Sequence, residues 1–431
     1  MRTTALAGLL ALMSVTAIRA AAPPAEDAET IARAVTADLA ARAFDKVAAR
    51  FDARMREALS VEKLGAVWDQ IVGQAGPFET IASARVVTVG AFDRVELTCT
   101  FEKTSLVVSI VLNQESMISG FFIAPATAGW MPPPYADPKT FEERDITIGT
   151  AVKLPGTLSM PTGAGPFPAV VLVHGSGAND RDETIGPNKP FKDLAQGLAS
   201  RGVAVLRYDK RTRVHPEQLP PLFTVKDEVV DDVREAVSFI AALPAIDRQR
   251  IIVVGHSLGG MLAPRIAAQD PRVTGLVMLA GATRPLEDAA LDQLRYLGMS
   301  DSMVSAAEAS ARQIRSPDLA AGTIVDFLGA KIPGSYWLDL RGYHPAELAA
   351  SLQIRMLVLQ GQRDYQVTMA DFQGWASALR ARSNVTLTLY PSLNHLFIAG
   401  TGPSKPDEYL RAGHVAEDVV RDIAEWIRAR K

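Results

Sequence analysis

The sequence of 431 residues predicts a small α+β domain followed by a larger α/β domain, whose mostly parallel, doubly wound sheet carries a helical cap insertion. Three observations predict this fold class. The chain is longer than one ordinary domain. Up to about residue 125, helical spacing of apolar residues gives way to strand-like alternation. After residue 140, short apolar runs alternate with helical segments, as in a parallel sheet covered on both faces.

The first residues have the composition of a secretory signal. Arg2 supplies a positive start, Thr3–Ile18 carries no charge, and small residues follow at Ala20 and Ala21. We therefore predict a signal peptide over residues 1–21 and expect an exported protein, periplasmic or secreted. Arg19 is unusual so close to the cleavage site, which leaves an uncleaved membrane anchor as the alternative. After signal removal we expect no stable membrane span, because no later segment provides about 20 consecutive apolar residues.

The composition excludes several classes of function. A net charge of -3 offers neither a basic surface for nucleic acid nor a polybasic membrane patch, so no nucleic-acid partner is expected. Cys99 is the single cysteine and can form no internal disulfide. Apolar and polar residues alternate around it, which predicts a buried structural thiol on a strand. The sequence does not indicate an oligomeric state.

Residues 22–128 are expected to form the small α+β domain. Apolar residues recur at helical spacing from Glu26 to about Gln74, and the period changes to two from Glu79 to about Ile123. This order predicts helices followed by a four-stranded antiparallel meander. Because the region contains no histidine and no cluster of carboxylates, we expect it to pack or to shape a substrate surface rather than to perform chemistry.

Residues 129–140, GWMPPPYADPKT, are rich in proline and predict a linker to the α/β domain of residues 141–431. The predicted strands of this domain are Glu143–Thr150, Lys153–Met160, Ala169–Val173, Val203–Tyr208, Ile251–Val254, Gly275–Leu279, Arg355–Leu359 and Val385–Tyr390. The predicted helices are Phe191–Ser200, Val225–Leu243, Met261–Ala268, Met369–Arg380 and His414–Ala429. Residues 282–350 separate two of the strands, and we expect them to form a cap over the strand ends.

One serine stands between glycines where a predicted strand becomes a helix. The sequence GHSLG, with Ser257 at its centre, follows the apolar run Ile251–Val254 and fits the pattern G-x-S-x-G in a strand–turn–helix context. Such a turn strains the serine backbone and leaves no room for side chains at the flanking positions. The two glycines meet this requirement because they have no side chain. The helix that follows directs its free N–H groups toward the serine. A glycine-rich turn with an incidental serine is the alternative.

A serine nucleophile requires a base, and the base requires a carboxylate that orients it. Asp364 follows the strand RMLVLQ, and His395 follows the strand VTLTLY. Both therefore stand where functional groups of α/β sheets occur, beyond the carboxyl ends of strands. The other histidines lie inside the serine turn, in loops or at a helix start. We predict Ser257, Asp364 and His395 as a catalytic triad.

Residues from about Phe141 onward resemble the α/β-hydrolase superfamily, nearest to its serine-aminopeptidase and dienelactone-hydrolase-like branch. The resemblance rests on GHSLG, on the order Ser257, Asp364, His395, and on HGSGANDRDETIGPNKPFKDLAQGLASRGVAVLRYDKRT, which begins at His174. This last segment resembles two-domain bacterial carboxylesterases whose N-terminal domain is an uncharacterised α+β module, often grouped with nuclear-transport-factor-like folds. The resemblance implies an α/β-hydrolase fold, with the three residues in the roles predicted above. It implies no activity for the N-terminal domain.

The loop that begins at His174 completes the predicted site. In this fold, an N–H of the loop and the N–H after the nucleophile bind the oxyanion, and we assign these donors to Ser176 and Leu258. An ordinary turn serine is the alternative for Ser176. The acidic residues Asp180–Glu183 of the same loop have irregular spacing and no accompanying histidine. We predict a solvated or self-capping loop there, no metal site and no cofactor.

Aromatic residues of the predicted cap suggest a substrate pocket. Tyr336, Trp337 and Tyr343 lie in the segment that should cover the strand ends. They could line the acyl pocket, or they could hold the cap against the sheet. If they line the pocket, it should suit short acyl chains.

The residues favour an exported serine hydrolase that cleaves a small-molecule carboxylic ester of short acyl chain through an acyl-enzyme. An aminopeptidase or amidase with the same triad is the alternative, and it would need acidic cap residues to hold the substrate amine. Glu287, Asp288 and Asp292 are candidates, although they also fit an exposed helix face. A binding protein without catalysis is the remote alternative, which the intact triad disfavours.

Overall fold

The structure, a computed structural model, describes residues 27–89, 92–126 and 130–429. The chain divides into two compact units, Met1–Thr127 and Ala128–Lys431. The predicted signal peptide, residues 1–21, lies outside the described residues. Within the described ranges, no helix has both the length and the apolar character needed to cross a membrane.

The first unit consists of helices followed by strands. The helices are α1 (Ala28–Ala40), α2 (Phe44–Ala49), α3 (Ala53–Ala58) and α4 (Val61–Ala75). The strands are β1 (Phe78–Val89), β2 (Phe92–Phe101), β3 (Ser105–Leu112) and β4 (Ile118–Pro125). The strands pair antiparallel in chain order, so they form the predicted meander. The α+β class expected from the change of apolar period is confirmed for this unit.

One face of this sheet forms the core of the first unit. Val95, Leu97 and Cys99 alternate along β2 with less buried residues and pack into one apolar cluster with Trp68 of α4. The buried position predicted for Cys99 is confirmed. Burial raises the pKa of its thiol to about 11, so the reactive thiolate is disfavoured at neutral pH.

The second unit is built on an eight-stranded sheet. Its strands, including two short ones outside that sheet, are β5 (Phe141–Ile148), β6 (Leu154–Pro161), β7 (Phe167–Val173), β8 (Ala204–Tyr208), β9 (Ile246–His256), β10 (Gly275–Leu279), β11 (Ile324–Phe327), β12 (Ala330–Pro333), β13 (Arg355–Gly361) and β14 (Val385–Tyr390). The sheet order is β14-β13-β10-β9-β7-β8-β6-β5. Pairing is parallel from β14 to β8, and β6 and β5 add antiparallel pairs at one edge. The predicted mostly parallel sheet is confirmed.

Helices connect these strands and cover the sheet. They are α5 (Pro190–Ala199), α6 (Arg211–Val214), α7 (Asp231–Ala241), α8 (Leu258–Gln269), α9 (Leu286–Tyr296), α10 (Asp301–Arg315), α11 (Gly334–Leu340), α12 (Pro345–Ser351), α13 (Met369–Leu379) and α14 (Glu417–Arg428). Short 3₁₀ turns occur at Pro216–Gln218 and Pro406–Leu410, and a π-helical turn, Lys226–Val230, leads into α7. The central strands β7 and β10 are almost entirely buried and apolar, whereas the edge strands β5 and β14 are largely exposed or half-buried.

The insertion between β10 and β13 contains α9, α10, the hairpin β11–β12, α11 and α12. The helical character predicted for this insertion is present, and the hairpin was not predicted. The residues predicted as a linker, of which 130–140 are described, are held within the second unit. Trp130 Nε1 donates to Asp193 Oδ1 at 2.8 Å, and the Tyr135 hydroxyl donates to the Val415 carbonyl at 2.6 Å. Proline-rich composition therefore indicates irregular backbone here, and aromatic anchors fix that backbone in place.

Candidate active site

Ser257 lies on a strained turn between β9 and α8. Its φ of 54° and ψ of -116° fall outside the regions that ordinary residues occupy. The flanking glycines are required by space, because a Cβ on Gly255 would lie 2.2 Å from the Gly259 carbonyl oxygen. A Cβ on Gly259 would lie 2.2 Å from the carbonyl oxygen of Val173 in β7. The close approach of three backbone segments therefore explains the glycines of this turn.

The backbone around Ser257 is anchored to its neighbours. Its N–H donates to the Leu279 carbonyl at 2.9 Å, and its carbonyl accepts from the Met261 N–H at 2.9 Å. Leu258 is the first residue of α8, so its N–H belongs to the first helical turn, where no intrahelical acceptor exists. A donor is thus available beside the serine, in the position predicted for one half of an oxyanion hole.

The structure brings His395 and Asp364 together. The His395 Nδ1–H donates to Asp364 Oδ2 across 2.6 Å, and both side chains are buried. Asp364 Oδ1 accepts from the N–H groups of Gln366 and Val367 at 2.8 and 3.0 Å, and its Oδ2 accepts from Gln360 Nε2 at 3.3 Å. These bonds fix the carboxylate, which in turn fixes the imidazole tautomer that leaves Nε2 free to accept a proton.

Ser257 and His395 line one cavity of about 560 Å³, and Ser176 and Leu258 line the same cavity. Gly175 packs directly against the serine, since a Cβ on Gly175 would lie 3.1 Å from the Ser257 Cβ. All five residues predicted for the triad and the oxyanion hole therefore meet at the carboxyl ends of the parallel strands.

The loop that carries Ser176 is held by its carbonyl groups. Asn179 Nδ2 donates to the carbonyls of Gly175 and Ser176 at 3.2 and 3.0 Å. The buried Lys210 Nζ donates to the Gly175 carbonyl at 3.0 Å and forms an ion pair with Glu228 Oε1 at 2.6 Å. The loop is therefore fixed before any substrate binds, as an oxyanion site requires.

The cap aromatics separate into two groups. Tyr336 and Trp337 line the cavity that contains Ser257. Tyr343 does not belong to that lining; it borders a neighbouring cavity of about 240 Å³, and its hydroxyl donates to the Met261 carbonyl at 2.7 Å. The pocket position predicted for Tyr343 is therefore corrected. Its ring packs with the core of the second unit, and its hydroxyl anchors the segment before α12 to α8.

The acidic loop after β7 also differs from expectation. Asp180 caps its own loop as predicted, accepting from the Thr184 N–H at 2.9 Å. Asp182 and Glu183, however, are buried rather than solvated. Asp182 pairs with Lys189 at 2.8 Å, and Glu183 lies beneath the serine turn, where it contacts His256. Nothing near Glu183 in the sequence indicates this contact, because its partner His256 lies on a different segment of the chain.

The described residues contain no group of three or more histidine, cysteine or carboxylate side chains arranged to hold a metal ion. Among the buried histidines, His174 stands at the end of β7 between the rings of Phe191 and Tyr208. Burial lowers the pKa of His174 to about 4, so its ring is neutral at physiological pH.

Comparison with known proteins agrees with this geometry. A family described as "Alpha/beta hydrolase family" matches residues 170–415, and one described as "Protein of unknown function (DUF3887)" matches residues 32–121. Esterase EstD of Thermotoga maritima is 41% identical over 378 residues, which cover 87% of this chain and 89% of that protein.

Solved structures with a similar fold include Est1E from Butyrivibrio proteoclasticus, at 18% identity and a TM-score of 0.44 over 66% of this chain and 99% of that one. A Pyrobaculum calidifontis esterase matches at 18% identity and a TM-score of 0.44 over 67% of this chain and 85% of that one. The match over residues 170–415 and the extended identity to Esterase EstD establish the family. The chain belongs to the alpha/beta hydrolase family.

Proposed function

We propose that this protein is an exported serine carboxylesterase that cleaves small esters of short acyl chain through an acyl-enzyme. One observation carries the proposal: Ser257, on its strained turn, and His395, which is paired with Asp364, line the same cavity. The high identity to a protein named as an esterase supports the reaction class.

In the proposed reaction, Ser257 Oγ attacks the ester carbonyl carbon while His395 Nε2 accepts the hydroxyl proton. The carbonyl oxygen becomes an oxyanion, which the N–H groups of Ser176 and Leu258 stabilise. The bond to the alcohol then breaks, and His395 returns its proton to the departing oxygen. Water repeats the sequence on the acyl-enzyme and releases the acid. Asp364 holds the ring and stabilises its charged form throughout.

Charge pairing in the cavity disfavours a substrate that carries an amine. Two carboxylates belong to its lining, and each already has a basic partner. Glu228 contacts Lys210 at 2.6 Å, and Glu183 contacts His256 at 2.9 Å. An amine on the substrate would therefore find no unpaired carboxylate among the described lining residues.

The acidic residues that an aminopeptidase could have used to bind the substrate amine also lie in ion pairs. Glu287 lies 3.7 Å from Arg315, which also contacts Asp288, and Asp292 pairs with Arg284 at 2.6 Å. Glu287 borders the second cavity rather than the one that holds the serine. These contacts support ester hydrolysis over recognition of a free amino terminus.

Two residues of the cap support the proposed preference for a short acyl chain. Trp337 and Leu286 each line both the catalytic cavity and the neighbouring cavity, so they form a wall between the two. Apolar surface on this wall contributes about 0.8 kcal/mol for each methylene that it buries. Once the chain reaches the wall, further methylenes gain nothing, and the preferred chain should contain about two to six carbons. The proposal of export rests on the composition of residues 1–21 alone.

A panel of chromogenic substrates tests the proposal. The purified protein is assayed on p-nitrophenyl esters from acetate to palmitate and, in parallel, on aminoacyl p-nitroanilides. We expect the highest kcat/KM on esters of two to six carbons and at least 100-fold lower values on the anilides, because the cavity offers no anchor for an amine. Preferential cleavage of the anilides would replace the esterase proposal with an aminopeptidase.

A further inference from the structure

A second histidine–carboxylate pair lies beneath the catalytic one. His256, the residue before the serine, has its Nδ1 2.9 Å from Glu183 Oε2. Its Nε2 lies 2.9 Å from the main-chain carbonyl oxygen of His395. The other Glu183 oxygen accepts from the Gly175 N–H at 2.6 Å. The proposed reaction uses neither side chain.

Both ring nitrogens of His256 face oxygen atoms that can only accept. A carboxylate stands at Nδ1, and a main-chain carbonyl stands at Nε2. A neutral imidazole carries one proton and would leave one nitrogen lone pair against an oxygen lone pair. A second proton turns the Nδ1–carboxylate contact, which is close but not aligned as a hydrogen bond, from repulsive to attractive, and the ring then bears a positive charge. The geometry therefore favours imidazolium.

Because both side chains are buried, each requires the other to balance its charge. The exposed fractions of His256 and Glu183 are 5% and 2%, and either charge alone would be costly at such depth. Burial by itself would lower the pKa of His256, but the charge of Glu183 and its contact outweigh burial and raise it. Burial likewise acts to raise the pKa of Glu183, and the charge of His256 outweighs it and lowers that pKa.

Other ionisable groups also surround the pair. Asp364 faces His256 and favours its charge, whereas His174 lies on the Glu183 side and is neutral. Lys210 donates a hydrogen bond to the Gly175 carbonyl, and its charge is paired with that of Glu228. The His395 ring lies against His256, with 4.6 Å between ring centroids.

This pair joins three separate segments of the site. Glu183 holds Gly175, which precedes the predicted oxyanion donor Ser176. His256 is covalently attached to Ser257 and holds the main chain of His395. We propose that His256 is a positioning residue, protonated at neutral pH, that with Glu183 aligns the predicted oxyanion loop, the nucleophile and the base. The inference rests on the proposed function for its kinetic consequence but not for the charge itself.

The charge is tested by nuclear magnetic resonance on the full chain labelled with ¹⁵N-histidine. The chain has six histidines, and the His256 signals are assigned by their loss in His256→Gln. At pH 7.5 we expect both ring nitrogens of His256 to carry protons in the parent. A parent spectrum with a single protonated nitrogen on His256 overturns the proposal, and this measurement requires neither activity nor a folded variant at Glu183.

Kinetics test the positioning role. In Glu183→Gln, the amide can still accept from Gly175 and donate to His256, so the network persists while the ring becomes neutral. We expect kcat on p-nitrophenyl butyrate to fall about 10- to 100-fold with KM within about twofold, since small misalignments cost catalysis rather than binding.

Asp182→Asn is the matched control, a buried acid-to-amide change one residue away whose partners are Lys189 and Arg207 rather than the site. We expect it to keep kcat within about twofold of the parent value, even if it melts earlier. A Glu183→Gln variant with the kcat of the parent contradicts the positioning role. If the parent cleaves no ester, the proposed function fails, and the resonance measurement still decides the charge of His256.

Discussion

At the scale of single residues, substitutions at two buried aspartates distinguish an effect on catalysis from an effect on stability. Asp364 orients His395, whereas Asp371 lies at the start of α13 and pairs with Arg284 at 2.9 Å. Asp364→Asn presents an amide to the ring and favours the wrong tautomer, so we expect kcat to fall about 10⁴-fold with little loss of stability. Asp371→Asn should leave kcat within about threefold but cost about 3 kcal/mol, because it disrupts a buried ion pair.

Initial rates and urea unfolding of both variants distinguish these effects. The assignment of Asp364 would be wrong if its variant retained activity while Asp371→Asn abolished it in a folded protein.

His174 predicts how stability depends on pH. Its pKa is lowered to about 4 by burial, while in the unfolded chain it titrates near the ordinary histidine pKa of about 6.5. Below pH 6.5 the unfolded state therefore binds a proton that the folded state refuses, and stability falls until the pH reaches about 4. The loss amounts to about 3 kcal/mol from this group. His174→Phe, which keeps a flat ring between Phe191 and Tyr208, should flatten this dependence.

Urea unfolding at pH 7 and pH 4 measures the effect of His174. Other groups titrate over the same range, so the comparison is between the pH-dependent losses of parent and variant. His344→Gln, at an exposed histidine, is the control and should lose as much stability as the parent. An equal loss in parent and His174→Phe would contradict the assignment.

At the scale of elements, we expect α11 to set the acyl-chain preference. Trp337 stands between the catalytic cavity and the neighbouring one, so Trp337→Ala should connect them. We expect the optimum to shift by at least two carbons toward longer esters, with unchanged labelling of Ser257 by a fluorophosphonate. Tyr343→Phe is the control, since Tyr343 borders only the second cavity of the two. It should cost about 1 kcal/mol through the lost bond to Met261 and leave the chain-length profile unchanged.

Chain-length profiles and melting curves of these variants decide the role of α11. If Trp337→Ala keeps the parent profile and only melts earlier, Trp337 belongs to the core of the cap, and the acyl pocket lies elsewhere.

The strands of the large sheet were predictable because apolar runs determine them, and Gly275–Leu279 and Val385–Tyr390 match the structure at both ends. Other boundaries depend on contacts that a single sequence does not reveal. β9 begins at Ile246 rather than Ile251 because main-chain pairing with Phe167 extends it through polar residues. α8 begins at Leu258, although the glycines that follow are poor helix formers. Glycine is required there because the backbone approaches Val173 closely.

The π-helical turn Lys226–Val230 was not predicted either. This turn precedes α7 and carries the buried Glu228. Glu228 forms an ion pair with Lys210, which donates to the Gly175 carbonyl in the predicted oxyanion loop. Such a partner lies on a different segment of the chain, and no local pattern indicates it. The same reason explains why Glu183 was expected in solvent, since only the folded loop places it against His256.

At the scale of the whole molecule, the proposed chemistry belongs to the second unit. Every residue assigned to the site lies beyond Ala128, and the two units have separate apolar cores. A chain that begins at Ala128 should therefore fold and hydrolyse p-nitrophenyl butyrate with kcat within about tenfold of the parent. Circular dichroism and initial rates check this expectation. A folded but inactive fragment would show that residues before Ala128 contribute to catalysis.

The central claim is that Ser257 carries the acyl group, and mass spectrometry tests it most directly. The protein is mixed with p-nitrophenyl butyrate, quenched in acid within milliseconds and digested. Slow hydrolysis in His395→Ala or a fluorophosphonate in place of the ester can extend the lifetime of the adduct. The account predicts one modified peptide, which contains Ser257, in the parent and none in Ser257→Ala. Adduct formation at another residue, or undiminished labelling of Ser257→Ala, would contradict it.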